Sequence, residues 1–278
     1  MEEITLQALL EAGCHFGHKA ERWHPKAAAF IYTKKDGVDI IDLAKTKAGL
    51  EAAVGFIRNL VAGGGEIVMV ATKRQAQGVV KEEAGKAEAP YFVERWIGGF
   101  LTNWESVKKN LDKVNTLAAE ETSGAWKKFP KHEQAKLSRY LVKLKVFYGG
   151  VAQVKEVPAA LFIVDIKKEI AALREAQRMN IPVIAIVDTN SDPTGVDYVI
   201  PANDDAVGSI RFITHIIAQA YREGRELREK QEKATQAVKA SPLEDAKQAS
   251  KAEQASQAAQ AGKQEKGKKV EKEENKTA

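Results

Sequence analysis

Glu66–Ala71, EIVMVA, runs straight into Thr72–Ala84, TKRQAQGVVKEEA, and this junction decides the fold. The first segment is a nearly continuous apolar run of strand length, the pattern of a strand buried on both faces. The second returns to helical composition, so the pair is a strand-to-helix step. The step recurs downstream. Ala159–Asp165 (AALFIVD) precedes a helical stretch at Lys167–Met179, and Pro182–Asp188 (PVIAIVD) and Tyr198–Ile200 precede another at Ala206–Tyr221. Alternating steps of this kind predict an α/β protein with a mainly parallel sheet covered on both faces and functional groups gathered at the strand ends.

Upstream, Thr5–Ala12 predicts a short helix, with Leu6, Leu9 and Leu10 at helical spacing after a Thr cap and Gly13 as its stop. Phe30–Tyr32 and Val38–Leu43 predict two strands around KKDG, where Asp-Gly supplies the positive φ of a tight hairpin. From Lys45 to Ala62, Leu50, Val54, Ile57 and Val61 recur at intervals of three and four, which defines a core-facing helix ended by Gly63-Gly64-Gly65. Those glycines precede a strand, whereas phosphate loops follow one.

Between Trp104 and Tyr148 the spacing becomes heptad-like. Val107, Leu111, Val114 and Leu117 mark one arm, Leu137, Leu141, Leu144 and Phe147 the other, and Gly124–Pro130 the turn. Arms of about 18 residues reach roughly 27 Å at the α-helical rise, so an antiparallel coiled coil projecting from the core is expected. The expected division is a discontinuous core over 1–103 and 149–225, a hairpin insertion over 104–148, and a polar extension over 226–278. The extension has no aromatic residue and few large apolar ones, and disorder is expected beyond Ser241-Pro242.

The chain has 278 residues, 44% of them hydrophobic, enough for a sizeable core. Its net charge of +5 arises from 43 Lys and Arg against 38 acidic residues. Residues 104–148 hold ten basic and five acidic side chains, a net +5 on the hairpin alone, whereas residues 229–278 hold eleven basic and nine acidic ones that nearly cancel. Clustered charge of this kind suits a polyanionic partner, although a solvated helical face has the same composition. The lone Cys14 excludes an intramolecular disulfide and fits a reducing cytosol. It is expected to be a small buried hydrophobe. The acidic start MEEITLQALLEAG has neither signal nor transit character, and no stretch of about 20 apolar residues would cross a membrane.

Three segments invite a chemical reading. His15, His18 and His24 stand at intervals of three and six with no cysteine pair to complete a zinc pattern. Sharing a metal with Asp188, Asp192, Asp204 and Asp205 is the lesser reading. Hydrogen bonding in a turn, or phosphate contact by His18, Lys19, Arg22 and Lys26 beside Trp23, is the greater. The loop IVDTNSDPTG resembles the ribose and phosphate loops of some α/β transferases, so a phosphoribosyl-type enzyme using Asp188 and Asp192 is the competing reading. A tight loop uses the same residues for capping, and no nucleophile, base and oxyanion donors accompany them. Arg95–Trp104, RWIGGFLTNW, joins core to hairpin with two Trp, one Arg and a Gly-Gly hinge, which serve equally to stack on bases or to pack a domain corner. The basic set is Arg22, Lys26, Lys34 and Lys35, then Lys73 and Arg74 opening a helix, then Arg95, Lys108 and Lys109 flanking the Trp-rich joint. Convergence of these groups would neutralise RNA phosphates, with Trp96 or Trp104 stacking on an unpaired base.

RWIGGFLTNW, together with GCHFGHKAERWHPKAAAFIY at Gly13–Tyr32, TKR at Thr72–Arg74 and IVDTNSDPTGVDYVIPANDDA at Ile186–Ala206, resembles the bacterial form of ribosomal protein two of the small subunit. Four long motifs occur in order, and the resemblance covers about Ile4 to Arg225. It implies a doubly wound, flavodoxin-like α/β domain, its sheet mainly parallel, with an inserted antiparallel coiled-coil α-hairpin, no catalysis and no cofactor. It further implies a cytoplasmic protein that binds small-subunit ribosomal RNA and helps anchor the messenger-binding first protein of that subunit. The matching candidates are His18, Arg22, Trp23 and Lys26, then Lys73 and Arg74, then Arg95, Trp96, Asn103 and Trp104.

Overall fold

The computed structural model describes residues 4–233. Its first compact unit is Met1–Arg228. The expected extension lies outside the described residues from position 234 onward.

Five parallel strands form the centre. β4 (Ile67–Val70), β5 (Tyr91–Phe92), β6 (Ala160–Val164), β7 (Val183–Val187) and β8 (Tyr198–Pro201) lie in the order β5-β4-β6-β7-β8. Renumbered from the first of them this is 2-1-3-4-5, consistent with a flavodoxin-like arrangement whose direction of winding reverses between β4 and β6. The apolar runs are continuous because both faces are covered. Ile67, Met69, Phe162, Val164, Ile184 and Ile186 join one core cluster; Val68, Val70, Leu161, Ile163, Val183, Ala185 and Val187 join the other.

The first face is packed by α1 (Leu6–Glu11), α2 (Leu43–Ala62), α3 (Arg74–Ala87) and α7, a helix that starts at residue 207. Thr5 caps α1 through Ala8 N–H and Asp42 caps α2 through Ala44 N–H, so α2 starts two residues before the spacing of its apolar residues announces it. The second face is packed by α6 (Ile170–Arg178), by the segment 96–101 and by the base of α4 (Trp104–Ser123).

A second, antiparallel sheet of order β1-β3-β2 comprises β1 (Phe16–Lys19), β2 (Ile31–Lys35) and β3 (Val38–Ile41). Asp36 and Gly37 turn the β2–β3 hairpin at φ 52° and 76°, as the Asp-Gly pair requires. Neither β1 nor β5 was expected. β1 lacks alternation and β5 is two residues long, so pairing with neighbours creates both.

α4 and α5 (Lys131–Tyr148) pack on one another through Val114, Trp126 and Leu141, with Leu117, Leu137 and Leu144 alongside. Gly124, at φ 72°, ends α4, and a short 3-10 turn over Ala125–Lys128 places Trp126 against the seam. Phe147, expected on that seam, is 40% exposed, and Tyr148 packs there in its place. Val107 and Leu111 belong to the second face of the sheet, which ties the first two turns of α4 to the core.

Candidate nucleic-acid interface

Each parallel strand delivers a polar segment to the same end of the sheet. β4 leads to Thr72–Arg74, β5 to Arg95, β6 to Asp165–Glu169, β7 to Asp188–Asp192 and β8 to Asn203–Asp205. In a doubly wound fold the crevice between β4 and β6 is where a ligand enters. Here it is closed by side chains from its own two walls. Glu169 accepts hydrogen bonds from the Thr72 N–H at 3.0 Å and from the Thr72 hydroxyl, while Lys168 Nζ donates to the Thr72 carbonyl at 2.7 Å. Burial raises the pKa of Glu169 against those two hydrogen bonds.

Lys73 fills the rest. Its ammonium stands 3.2 Å from Asp165, 2.7 Å from Asp204 and 2.7 Å from Asp205. Burial works against its charge, but hydrogen bonds to Asp204 and Asp205 prevail and raise its pKa, so it remains protonated. Asp204 has its pKa pushed up to about 7 by burial and by the charges of Asp165 and Asp188, which outweigh Lys73. One cation faces more carboxylates than it neutralises.

His18 ties the small sheet to this end. Its Nδ1 lies 3.1 Å from Asp188 and its Nε2 3.2 Å from Asp205. The hydrogen bond to Asp188 is the largest cause of its raised pKa, and burial opposes it. The His18 N–H donates to Thr189 Oγ1 at 2.9 Å and the His24 N–H to the Thr189 carbonyl at 2.8 Å. A Cβ on Gly17 would lie 2.8 Å from the Asp39 carbonyl oxygen and 2.7 Å from Thr189, so only glycine permits this approach.

Of the residues considered for a metal, His18, Asp188 and Asp204 bring ligand atoms within 4.8 Å of one another. His24 instead accepts from the Lys26 N–H as a helix cap, and Asp192 is engaged by Lys26 and Thr194. Hydrogen bonds from the Thr194 hydroxyl and N–H, then Lys26, hold the Asp192 carboxyl well below its usual range. The transferase reading gains no support. Asp188 is buried against His18 and Thr189, and Asp192 organises its own loop as a capping residue does. Cys14 is buried, and burial raises its pKa away from thiolate chemistry.

The exposed candidate cations lie in two places. Arg22, Lys26, Lys34 and Lys35 lie on and beside the small sheet, with Lys34 Nζ 5.2 Å from the ring centre of Trp23, which is 39% exposed. Arg74 and Arg95 leave adjacent strands at the same sheet end, followed by exposed Asn103, Lys108 and Lys109. Trp96 differs from expectation. It is 6% exposed, its ring sits against Phe92 and Phe100, and its indole N–H donates to Glu175 at 3.0 Å. Trp104, half-buried, meets Phe100 edge to face. RWIGGFLTNW therefore packs its aromatics inward and presents Arg95, Thr102 and Asn103 outward.

Sequence reasoning missed Asp165, Lys168, Glu169 and Glu175. Asp165 had a signal, since AALFIVD ends in Asp as PVIAIVD does. The other three lie in or beside an ordinary helical stretch, and only the fold gives them partners.

These features define a class: an α/β protein with a flavodoxin-like strand order whose switch-point crevice is closed by its own hydrogen bonds and ion pairs. The ribosomal protein S2 family profile matches residues 9–224, and the chain belongs to that family. It is 49% identical over 225 residues to the small ribosomal subunit protein uS2 of Coprothermobacter proteolyticus, which covers 81% of this chain and 84% of that protein. The family is one of ribosomal proteins, not of enzymes. No helix among the described residues is long and apolar enough to cross a membrane.

Proposed function

We propose that this protein is a structural constituent of the small ribosomal subunit in the cytoplasm, where it binds small-subunit ribosomal RNA and helps anchor the messenger-binding first protein. The observation that carries the reading is the set of exposed cations on segments that leave a sheet end whose crevice is bridged by Glu169, Lys168 and Lys73. Arg22, Lys26, Lys34, Lys35, Arg74, Arg95, Lys108 and Lys109 neutralise phosphates, Asn103 adds a hydrogen-bonding side chain, and Trp23 offers an exposed ring. His18, Lys73, Trp96 and Trp104 support these groups from beneath. The α4–α5 hairpin acts as a coiled-coil insertion on a flavodoxin-like domain and extends the basic surface. Exposed Phe16 and Tyr32, the latter 76% exposed, give the small sheet an apolar surface suited to a protein neighbour.

Sedimentation of tagged protein from lysate through sucrose gradients, at low salt and after a high-salt wash, tests the reading. Co-migration with small subunits through the wash is expected, and absence from subunits at both salts overturns it. Subunits depleted of the protein should also lose the messenger-binding first protein, and its full retention would remove the anchoring role.

A further inference from the structure

Glu175 is the least expected participant at the joint between core and hairpin. It belongs to α6, whose Ala172, Leu173 and Ala176 face the sheet, and its carboxylate turns toward the segment 96–101. Three donors of that segment converge on it. The Trp96 indole N–H and the Gly99 N–H donate to Oε1 at 3.0 and 2.8 Å, and the Leu101 N–H donates to Oε2 at 3.2 Å. All three come from a stretch that belongs to neither strand nor helix, so its amides have no ladder to satisfy them. Hydrogen bonds to an ionised acceptor are about twice as strong as neutral ones, which suits one carboxylate to holding a whole turn.

The turn held in this way has a defined form. Gly99 adopts φ +84°, the Phe100 N–H donates to the Ile97 carbonyl at 3.0 Å, and the Asn103 N–H donates to the Gly99 carbonyl at 2.7 Å. Trp96, Phe100 and Leu101 are thereby buried, while Arg95, Thr102 and Asn103 face solvent and α4 starts at Trp104. The aromatic contacts supply cohesion, but apolar packing is non-directional and does not by itself fix which side chains face outward.

We infer that Glu175 is the positioning residue of the RNA interface: it holds segment 96–101 in the form that presents Arg95, Asn103 and the first turns of α4 to phosphate. The inference rests on the RNA-binding reading above. Glu175 itself contacts no RNA, and its effect passes through the turn. Glutamine preserves its shape yet replaces one acceptor oxygen by an NH2 group, which cannot accept from an amide N–H. Glu175→Gln therefore loses at least one of the three bonds and keeps the core contacts.

The test is rebinding of the full chain to small-subunit particles depleted of it, across a salt series well below the melting temperature. The variants are Glu175→Gln, Arg95→Ala, the double Arg95→Ala/Lys108→Ala, and Glu175→Gln with Arg95→Ala. Glu175→Gln is expected to weaken binding roughly 10-fold, the loss associated with one hydrogen bond to a charged group. It should also reduce the salt slope by about one, as loss of a phosphate contact does. With Arg95→Ala the losses should add only in part, because both act on the Arg95 contact while Glu175 also positions Asn103 and α4. Amide exchange at Gly99 and Leu101 should accelerate in Glu175→Gln with the sheet unchanged. Trp96→Phe, which removes only the indole donor, should give a smaller loss of the same sign and serves if Glu175→Gln folds poorly. Unchanged affinity and slope in Glu175→Gln, or in Trp96→Phe where that variant stands in for it, beside a loss in Arg95→Ala/Lys108→Ala, overturns the positioning role and leaves the RNA interface standing. No loss in the Arg95→Ala/Lys108→Ala protein overturns the interface at this joint, and the positioning role with it.

Discussion

Two glycines six residues apart in α2 meet opposite surroundings. A Cβ on Gly49 would lie 2.3 Å from the Val199 carbonyl oxygen of β8, whereas a Cβ on Gly55 meets nothing within 4 Å. Gly49→Ala is expected to destabilise by about 1–3 kcal/mol through forced separation of α2 from the sheet. Gly55→Ala is expected to stabilise by up to about 1 kcal/mol through helix propensity, and urea denaturation reads both. Lys73 offers a different test, because its removal strands Asp165, Asp204 and Asp205 around a vacated site. Lys73→Met should cost roughly 3–5 kcal/mol, and Asp204→Asn in that background should recover part of it. Glu83 supplies a pH signature. Burial opposes its charge, but hydrogen bonds from Lys86 and His215 outweigh burial and depress its pKa. A depressed carboxyl contributes stability above its unfolded pKa, about 4.3, and loses it as pH falls through the lower folded value. The melting-temperature gap between the native protein and Glu83→Gln should therefore narrow on acidification from pH 6 to pH 3. At this scale little was legible beforehand. The basic character of Lys73 was visible, but not that it would be enclosed by three carboxylates from two different loops.

Among the elements, continuous apolar runs were the clearest signal, since EIVMVA, AALFIVD and PVIAIVD have lengths and compositions that only a strand covered on both faces suits. The small sheet was half visible. Asp36-Gly37 announced the β2–β3 turn, but β1 exists only because Phe16–Lys19 pairs with β3. The two helical arms were legible in their apolar spacing, with Tyr148 in place of Phe147 because intervals of four, three and four from Leu137 through Leu141 and Leu144 reach 148. Their outer part has its own small core, separate from the two faces of the sheet. Leu141→Ala should cost roughly 2–5 kcal/mol, confined to α4 and α5. Hydrogen exchange should show faster exchange along the outer turns of both helices and unchanged protection in β4, β6 and β7. Uniform loss across the sheet would show instead that the hairpin and core unfold as one.

For the whole molecule, the strand order explains why distant motifs meet. Parallel strands send residues 72–74, 95, 165–169, 188–192 and 203–205 to one end, although they span more than a hundred positions of the chain. Which end, and which cations would be exposed there, followed from the sheet rather than from any single motif. If the hairpin carries RNA affinity, excising residues 112–144 with a short Gly linker should leave the core folded. Val107 and Leu111 stay in place, and the salt dependence of subunit binding should become markedly shallower. Excising 105–147 should instead destabilise the core by removing both.

Residues 104–148 carry +5 and the whole chain carries +5, so the remainder sums to zero. With +2 of that remainder in residues 229–278, the core of residues 1–103 and 149–228 carries −2, and a positive arm on a slightly negative core is an electric dipole. Near a polyanion such a molecule experiences a torque before it experiences contact, and it turns its hairpin forward. If the protein binds RNA as proposed, its encounter is orientationally biased, with the arm touching first and the sheet end following by rotation about that first contact.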